Sequence, residues 1–201
     1  MKVIVSLLIA IAFAQAAAAQ QTINGCVIKR KASCPGVNLA SMNLTKSNLS
    51  GADLAGANLS GADLNGDKIS EANLTRANLA GANLTAANLS ETYLTGANLS
   101  HANLGRANLA QSTLPDANLR EANLAGADLS LANLKGTDLS DANAKGAVFI
   151  MTSLSHANLS RTDLTEATLV GADLKNAILE GAKFCKTTMP DRSINNSGCA
   201  K

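Results

Sequence analysis

The chain has 201 residues, 46% hydrophobic and 16% charged, with a formal net charge of +2, so it must bury a core and is not a disordered tail. With no Trp, one Tyr and three Phe, aliphatic side chains must do nearly all the packing. Between residues 37 and 184 ten Lys or Arg face fourteen Asp or Glu, and this mixture lacks the basic stripe of a nucleic-acid binder, so no nucleic-acid partner is expected.

The first segment stands apart in composition. Lys2 gives a short basic start, Val3 to Ala14 is almost wholly apolar, and Ala16 to Ala19 supplies small residues at signal-peptidase spacing. Residues 1–19 therefore read as a signal peptide cleaved before Gln20, with the bond after Ala18 as a neighbouring choice. The apolar run is shorter than the ~20 residues of a membrane span, so no stable membrane anchor is expected. The protein is expected to be exported, to the periplasm or the extracellular space, or to a thylakoid lumen if the host has one.

Residues 20–36 and 185–201 read as caps around a repeat array. Cys26 and Cys34 lie in the first, Cys185 and Cys199 in the second, and no cysteine lies between them. In an oxidising compartment this even count favours two disulfides. Three pairings are formally possible, and Cys26 with Cys34 and Cys185 with Cys199 are preferred because neither must cross the array. Zinc is the competing reading, and separations of eight and fourteen residues suit a metal knuckle poorly.

From Leu39 to Phe184 an apolar residue recurs every five positions, giving 30 centres of which 26 are Leu; the exceptions are Ile69, Ala144, Phe149 and Phe184. Ala stands two positions before the centre in 21 units and Asn or Asp one before it in 22, as in Ala57-Asn58-Leu59-Ser60-Gly61. A single helix would scatter the centres about 140° apart, and one long strand would send alternate Leu to opposite faces. In a short extended segment, Leu and the preceding Ala share a face while the Asn or Asp points away. If the chain turns a corner after each segment, every Leu meets one axis and coils stack at ~4.8 Å, which makes a β-solenoid. Gly51, Gly56, Gly61, Gly66, Gly81, Gly96 and Gly126 fall at those corners, where a tight turn suits Gly.

Residues 37–184, about three quarters of the chain, resemble the pentapeptide-repeat family. The resemblance implies an all-β, right-handed quadrilateral β-helix with four repeats per coil, hence about seven and a half coils and a rod ~36 Å long. Cys34-Pro35-Gly36-Val37-Asn38-Leu39 is similar to the family's first coil, and Phe184-Cys185 with Met189 to Cys199 is similar to a recurring exit. Family examples often carry Gly at the position of Arg192 and a second Cys at that of Val37, for which Cys26 would substitute as the partner of Cys34.

Two irregularities interrupt the array. Asp67 takes an inward position otherwise given to Ala, where an unpaired carboxylate is costly; a bulge at residues 65–68, a hydrogen bond from Ser47 or an ion site would each account for it. At Ala144 to Thr152 a small centre is followed by Phe149, which suggests compensated volume. In a twenty-residue register Leu131, Val148, Ile150, Met151 and Val170 stack into one outward apolar patch, a candidate interface, unless the register shifts locally and buries some of them.

The search for chemistry yields little. His101 and His156 fall on different faces without convergent partners. Glu71 and Glu91 would stack on neighbouring coils like a glycosidase pair, but a narrow rod gives them no cleft. Ser and Thr recur with the repeat and no His accompanies them; the glycosylation sequons arise from the repeat itself. No catalytic, cofactor or metal site is expected. The favoured function is a non-catalytic exported scaffold or interaction module, with an unknown protein or a second copy as partner. A carbohydrate-associated β-helix protein is an alternative. A DNA-mimic topoisomerase protector, an activity that the family resemblance brings in, is disfavoured by export and near-neutral charge.

Overall fold

The computed structural model describes residues 21–199; the signal-peptide reading of residues 1–19 and the terminal Lys201 lie outside them. Parallel bridges join each side of the rod to the residue twenty positions on, from Ser33–Asp53 to Thr168–Thr188, at every fifth residue without a skip. Four five-residue sides therefore close each coil, and the fold is a right-handed quadrilateral β-helix. The described residues contain no helix.

The repeat is explained by where its five N–H groups go. In the unit 57–61, Ala57 N–H closes the preceding turn on Leu54 O at 3.0 Å, and Asn58 N–H reaches back one coil to Val37 O at 2.9 Å. Leu59 and Gly61 donate forward one coil, to Asn78 O at 2.7 Å and Ala80 O at 2.9 Å. Only Ser60 N–H lacks a backbone acceptor, and the Asn58 side chain supplies one at 3.2 Å. The Asn or Asp of the unit is thus a turn cap, and it also forms ladders between coils, such as Asn98 Nδ2 to Asn78 Oδ1 at 3.2 Å. All three prolines, Pro35, Pro115 and Pro190, take the position that needs this cap. Having no N–H, they need none, and the residues two before them are Ser33, Thr113 and Thr188 rather than Asn or Asp. Asn98→Ala, which leaves Ser100 N–H without its acceptor, is expected to cost about 1–2 kcal/mol in chemical denaturation, whereas Thr113→Ala, before Pro115, is expected to cost less.

Each corner has the φ signs of a type II turn. At its second corner position every unit from Lys31 to Lys186 has positive φ, and 20 of these 32 residues are not Gly. None of the 32 is β-branched, which is the class that this conformation penalises most. Arg192, where Gly was the family expectation, likewise adopts φ 70°.

The centres form a continuous core, with Leu39 to Leu169 almost completely buried. Inward Thr residues replace Ala where the hydroxyl can donate to a carbonyl, as Thr137 does to Leu114 O at 2.8 Å and Thr162 to Leu139 O at 2.8 Å. Ala144 and Phe149 are both fully buried, and the bridges Asn123–Asn143 and Asp128–Val148 run through them. The small and large centres therefore sit in regular register, and a local shift is not the cause of the irregularity.

A hairpin lies at each end of the rod. β1 (Thr22–Ile23) pairs with β2 (Cys26–Val27), and β3 (Thr187–Thr188) pairs with β4 (Ile194–Asn195), both antiparallel. Disulfides join Cys26 to Cys34 and Cys185 to Cys199, each tying a cap to the coil beside it.

Candidate functional site

One corner of the rod changes character along its length. Its second corner positions run Lys31, Gly51, Glu71, Glu91, Gln111 and then Leu131, Met151 and Gly171. Glu71 and Glu91 stand on neighbouring coils of this corner as solvent-exposed residues. Below them Leu131 is 55% and Met151 65% exposed, and Ile150 is 37% exposed, while Val148 and Val170 are half-buried. The strip is held together by coil-to-coil bonds: Leu131 N–H to Ile150 O, Met151 N–H to Val170 O, both at 2.9 Å, and Gly171 N–H to Pro190 O at 3.0 Å. All five patch residues are thus brought onto one corner and its flanks.

The same corner loses its turn caps. Val148 and Thr168 stand where Asn or Asp would accept the N–H of Ile150 and Val170, and among the described residues neither N–H has a partner. The patch therefore offers apolar side chains beside two free backbone donors. The side chains are legible in the sequence, whereas the free donors follow from the capping role of the Asn column, which only the hydrogen-bond pattern reveals.

Asp67 is the one inward carboxylate, 1% exposed. The bridges Asp63–Asn83 and Lys68–Asn88 continue on both sides of it, so there is no bulge. Ser47 Oγ donates to Oδ2 at 2.9 Å, while Oδ1 has no protein partner. Burial pushes its carboxyl up to about 6, opposed by the Ser47 hydroxyl and the Ser47 and Lys46 backbone, with Asp63 adding slightly. Among the described residues no group of three or more His, Cys, Asp or Glu is placed to hold a metal.

The histidines belong to surface ladders. His101 Nδ1 lies 3.4 Å from Glu121, and His156 Nε2 lies 3.4 Å from Asn176 Nδ2. Further along the His101 corner, Arg161 Nη2 donates to Asp141 at 2.7 Å, and this bond, with the Arg161 and Arg120 charges, holds the Asp141 carboxyl below its usual range. Such exposed ion pairs tune the surface and contribute little stability. Open clefts occur on the caps, one of about 470 Å³ beside Met189, Asp191 and Ile194 and one of about 270 Å³ beside Asn24 and Pro35. Neither cleft gathers an acid–base pair. No described helix is long and apolar enough to cross a membrane.

The family model for pentapeptide repeats matches in 8 copies over residues 32–66, 72–111, 102–141, 114–149 and 152–189. No curated protein matches the chain. Among solved structures, HetL, a pentapeptide repeat protein involved in heterocyst differentiation regulation from the cyanobacterium Nostoc sp. strain PCC 7120, is 37% identical with a TM-score of 0.81; the match covers 83% of this chain and 76% of HetL. A pentapeptide repeat protein from the Arabidopsis thaliana thylakoid lumen is 29% identical over 49% of this chain and 68% of its own, with a TM-score of 0.48. Rfr23 from the cyanobacterium Cyanothece 51142 is 30% identical over 59% of this chain and 88% of its own, with a TM-score of 0.29. The five-residue unit, the twenty-residue coil and the matched repeats agree: the chain belongs to the pentapeptide-repeat family, a family of β-helical repeat scaffolds.

Proposed function

We propose that this protein is a non-catalytic, exported interaction module whose working surface is the corner formed by Leu131, Val148, Ile150, Met151 and Val170. The observation that carries the reading is the double departure at that corner, where exposed apolar side chains and uncapped N–H groups occur together. Leu and Met at positive φ cost stability relative to Gly and gain no burial in the isolated chain, so a protein partner is the natural source of compensation. Export is supported by the two disulfides, which persist in oxidising compartments, and by the basic and apolar character of residues 1–19. HetL's involvement in regulation is compatible with a role exerted by binding.

Two experiments test the reading. N-terminal sequencing of the native protein is expected to return a start near Gln20, and recovery of Met1 contradicts export. The double variant Leu131→Gly, Met151→Gly relieves backbone strain, so it is expected to unfold at the same denaturant concentration as wild type or higher. It is expected to retain at least tenfold less of any protein that co-purifies with wild type from the native compartment, and unchanged retention rejects the site.

A further inference from the structure

The two ends of the rod are each only half covered, and the uncovered halves are opposite. At the N-terminal end the β1–β2 hairpin lies over the sides 32–34 and 37–39, through the Cys26–Cys34 disulfide and the bond from Asn24 Nδ2 to Asn38 O at 2.6 Å. Ala32 and Val37 are buried there, whereas Met42, at the same inward position of the next side, is 37% exposed. At the C-terminal end the cap crosses the sides 182–184 and 187–189, through the β3–β4 pairing and the bond from Gly198 N–H to Phe184 O at 2.6 Å. Phe184 and Thr187 are buried, while Leu174, Ala177 and Leu179 are half-buried.

The open C-terminal sides also present an unpaired strand edge. One coil earlier Leu154, His156, Leu159 and Arg161 donate N–H to the carbonyls of Asp173, Lys175, Ile178 and Glu180 at 2.8–2.9 Å. The corresponding donors of the last coil, Leu174, Asn176, Leu179 and Gly181, have no backbone acceptor among the described residues. Such an edge beside half-buried core residues is a template for association.

In the twenty-residue register the side 32–34 stands directly above 172–174, and 42–44 above 182–184. The sides covered at one end are therefore the sides left open at the other. We infer that this protein docks a second copy of itself head to tail as a half-lap joint, a surface separate from the corner proposed above. The C-terminal cap of one copy rests on the open half of the next copy's first coil, and the β1–β2 hairpin of that copy rests on the open sides 172–179. The joint brings Ile194, paired with Thr188 and 57% exposed on the cap, onto Asn48, which stands in the same column as Thr188. Charge disfavours a contact between two N-terminal ends: residues 21–50 carry Lys29, Arg30, Lys31 and Lys46 and no acid, whereas the C-terminal end mixes Asp173, Glu180 and Asp191 with Lys175, Lys183, Lys186 and Arg192. Asp191 occupies the same corner as Lys31 and meets that basic cluster across the joint. Because the contact is heterologous, it propagates into a line of rods rather than closing.

The protein, expressed from its full sequence and purified as the host processes it, is tested as Asn48→Cys and Ile194→Cys variants that are mixed and mildly oxidised. Within one chain these positions lie at opposite ends, so any link between them joins two copies. The Asn48–Ile194 heterologous link is expected to exceed either homologous link at least tenfold. A predominant Ile194–Ile194 link, or no link above that of denatured protein, overturns the proposal. An independent arm avoids new thiols: light-scattering mass of wild type is expected to rise with concentration. Asp191→Lys is expected to weaken that association about tenfold, and adding Lys31→Asp is expected to restore it. A mass that stays monomeric throughout, or an Asp191→Lys variant that associates as wild type does, overturns the joint as well.

Discussion

Leu109→Ala is expected to destabilise the rod by roughly 2–5 kcal/mol, read as a shift in the denaturant midpoint at unchanged slope. Leu109 is fully buried in mid-array, with Leu89 and Leu129 above and below it in the same column. The backbone on every side is fixed by coil-to-coil bonds, so the site cannot collapse onto the cavity, and the loss approaches the full transfer-plus-cavity value. The converse change, Ala144→Leu, enlarges a buried centre beside Phe149. Here the large neighbour already supplies volume, and the effect is expected to be much smaller than that at Leu109. If the two variants shift the midpoint equally little, the centres do not carry the core.

The second large effect is a pH-dependent gain. The raised folded pKa of Asp67, about 6 against an ordinary value of 3.8, means that between these values the folded protein binds more protons than the unfolded chain. Stability linked to Asp67 is therefore greatest below about pH 4, and it falls as pH rises through about 6. At pH 7 the ionised, half-satisfied carboxylate costs about 2–3 kcal/mol relative to its protonated form. Asp67→Ala restores the residue usual at that inward position, and Asp67→Asn keeps the shape without the charge. Both are expected to be more stable than wild type at pH 7 by about that amount, and the advantage is expected to vanish near pH 4. Asp141 and Asp191, whose carboxyls are lowered by Arg161 and Ser193 respectively, work in the opposite direction, since their stabilisation is lost on acidification. The difference between variant and wild type isolates Asp67 from them. A constant difference across this range would show that Asp67 does not titrate as the structure implies.

Much of this architecture is legible because a five-residue period leaves few backbone solutions. The Leu and Ala positions identify the inward face, and the break at Ala144 and Phe149 can be placed in a column by arithmetic alone. The quadrilateral coil itself comes from the family resemblance, since periodicity does not say how many sides close a turn. Other features were written in the chain but need the hydrogen-bond pattern to be read. The Asn or Asp column caps the one N–H that the coils leave free, and the three prolines coincide with missing caps for that reason. The absence of Val, Ile and Thr from 32 successive corner positions is the trace of positive φ; glycine alone was an incomplete guide, because Lys, Glu and Arg also serve there. The half-covered ends are not legible, because each hairpin leaves the period and its docking side depends on the path of the chain. Asp67 illustrates the intermediate case: its column and its Ser47 neighbour follow from numbering, while the unpaired Oδ1 requires coordinates.

In the proposed function the regular array is a scaffold and its interrupted corner does the binding. The most direct test compares two double variants on that same corner. Leu131→Gly with Met151→Gly removes the exposed apolar pair, and Glu91→Gly with Gln111→Gly makes the same backbone change two coils up the rod. Each replaced residue has positive φ, so both variants are expected to fold with equal or higher unfolding midpoints. Partner recovery from the native compartment is then measured for both against wild type. The proposed function predicts at least a tenfold loss for the Leu131 and Met151 variant and recovery near wild type for the control; equal recovery by the two variants, or loss confined to the control, would contradict it.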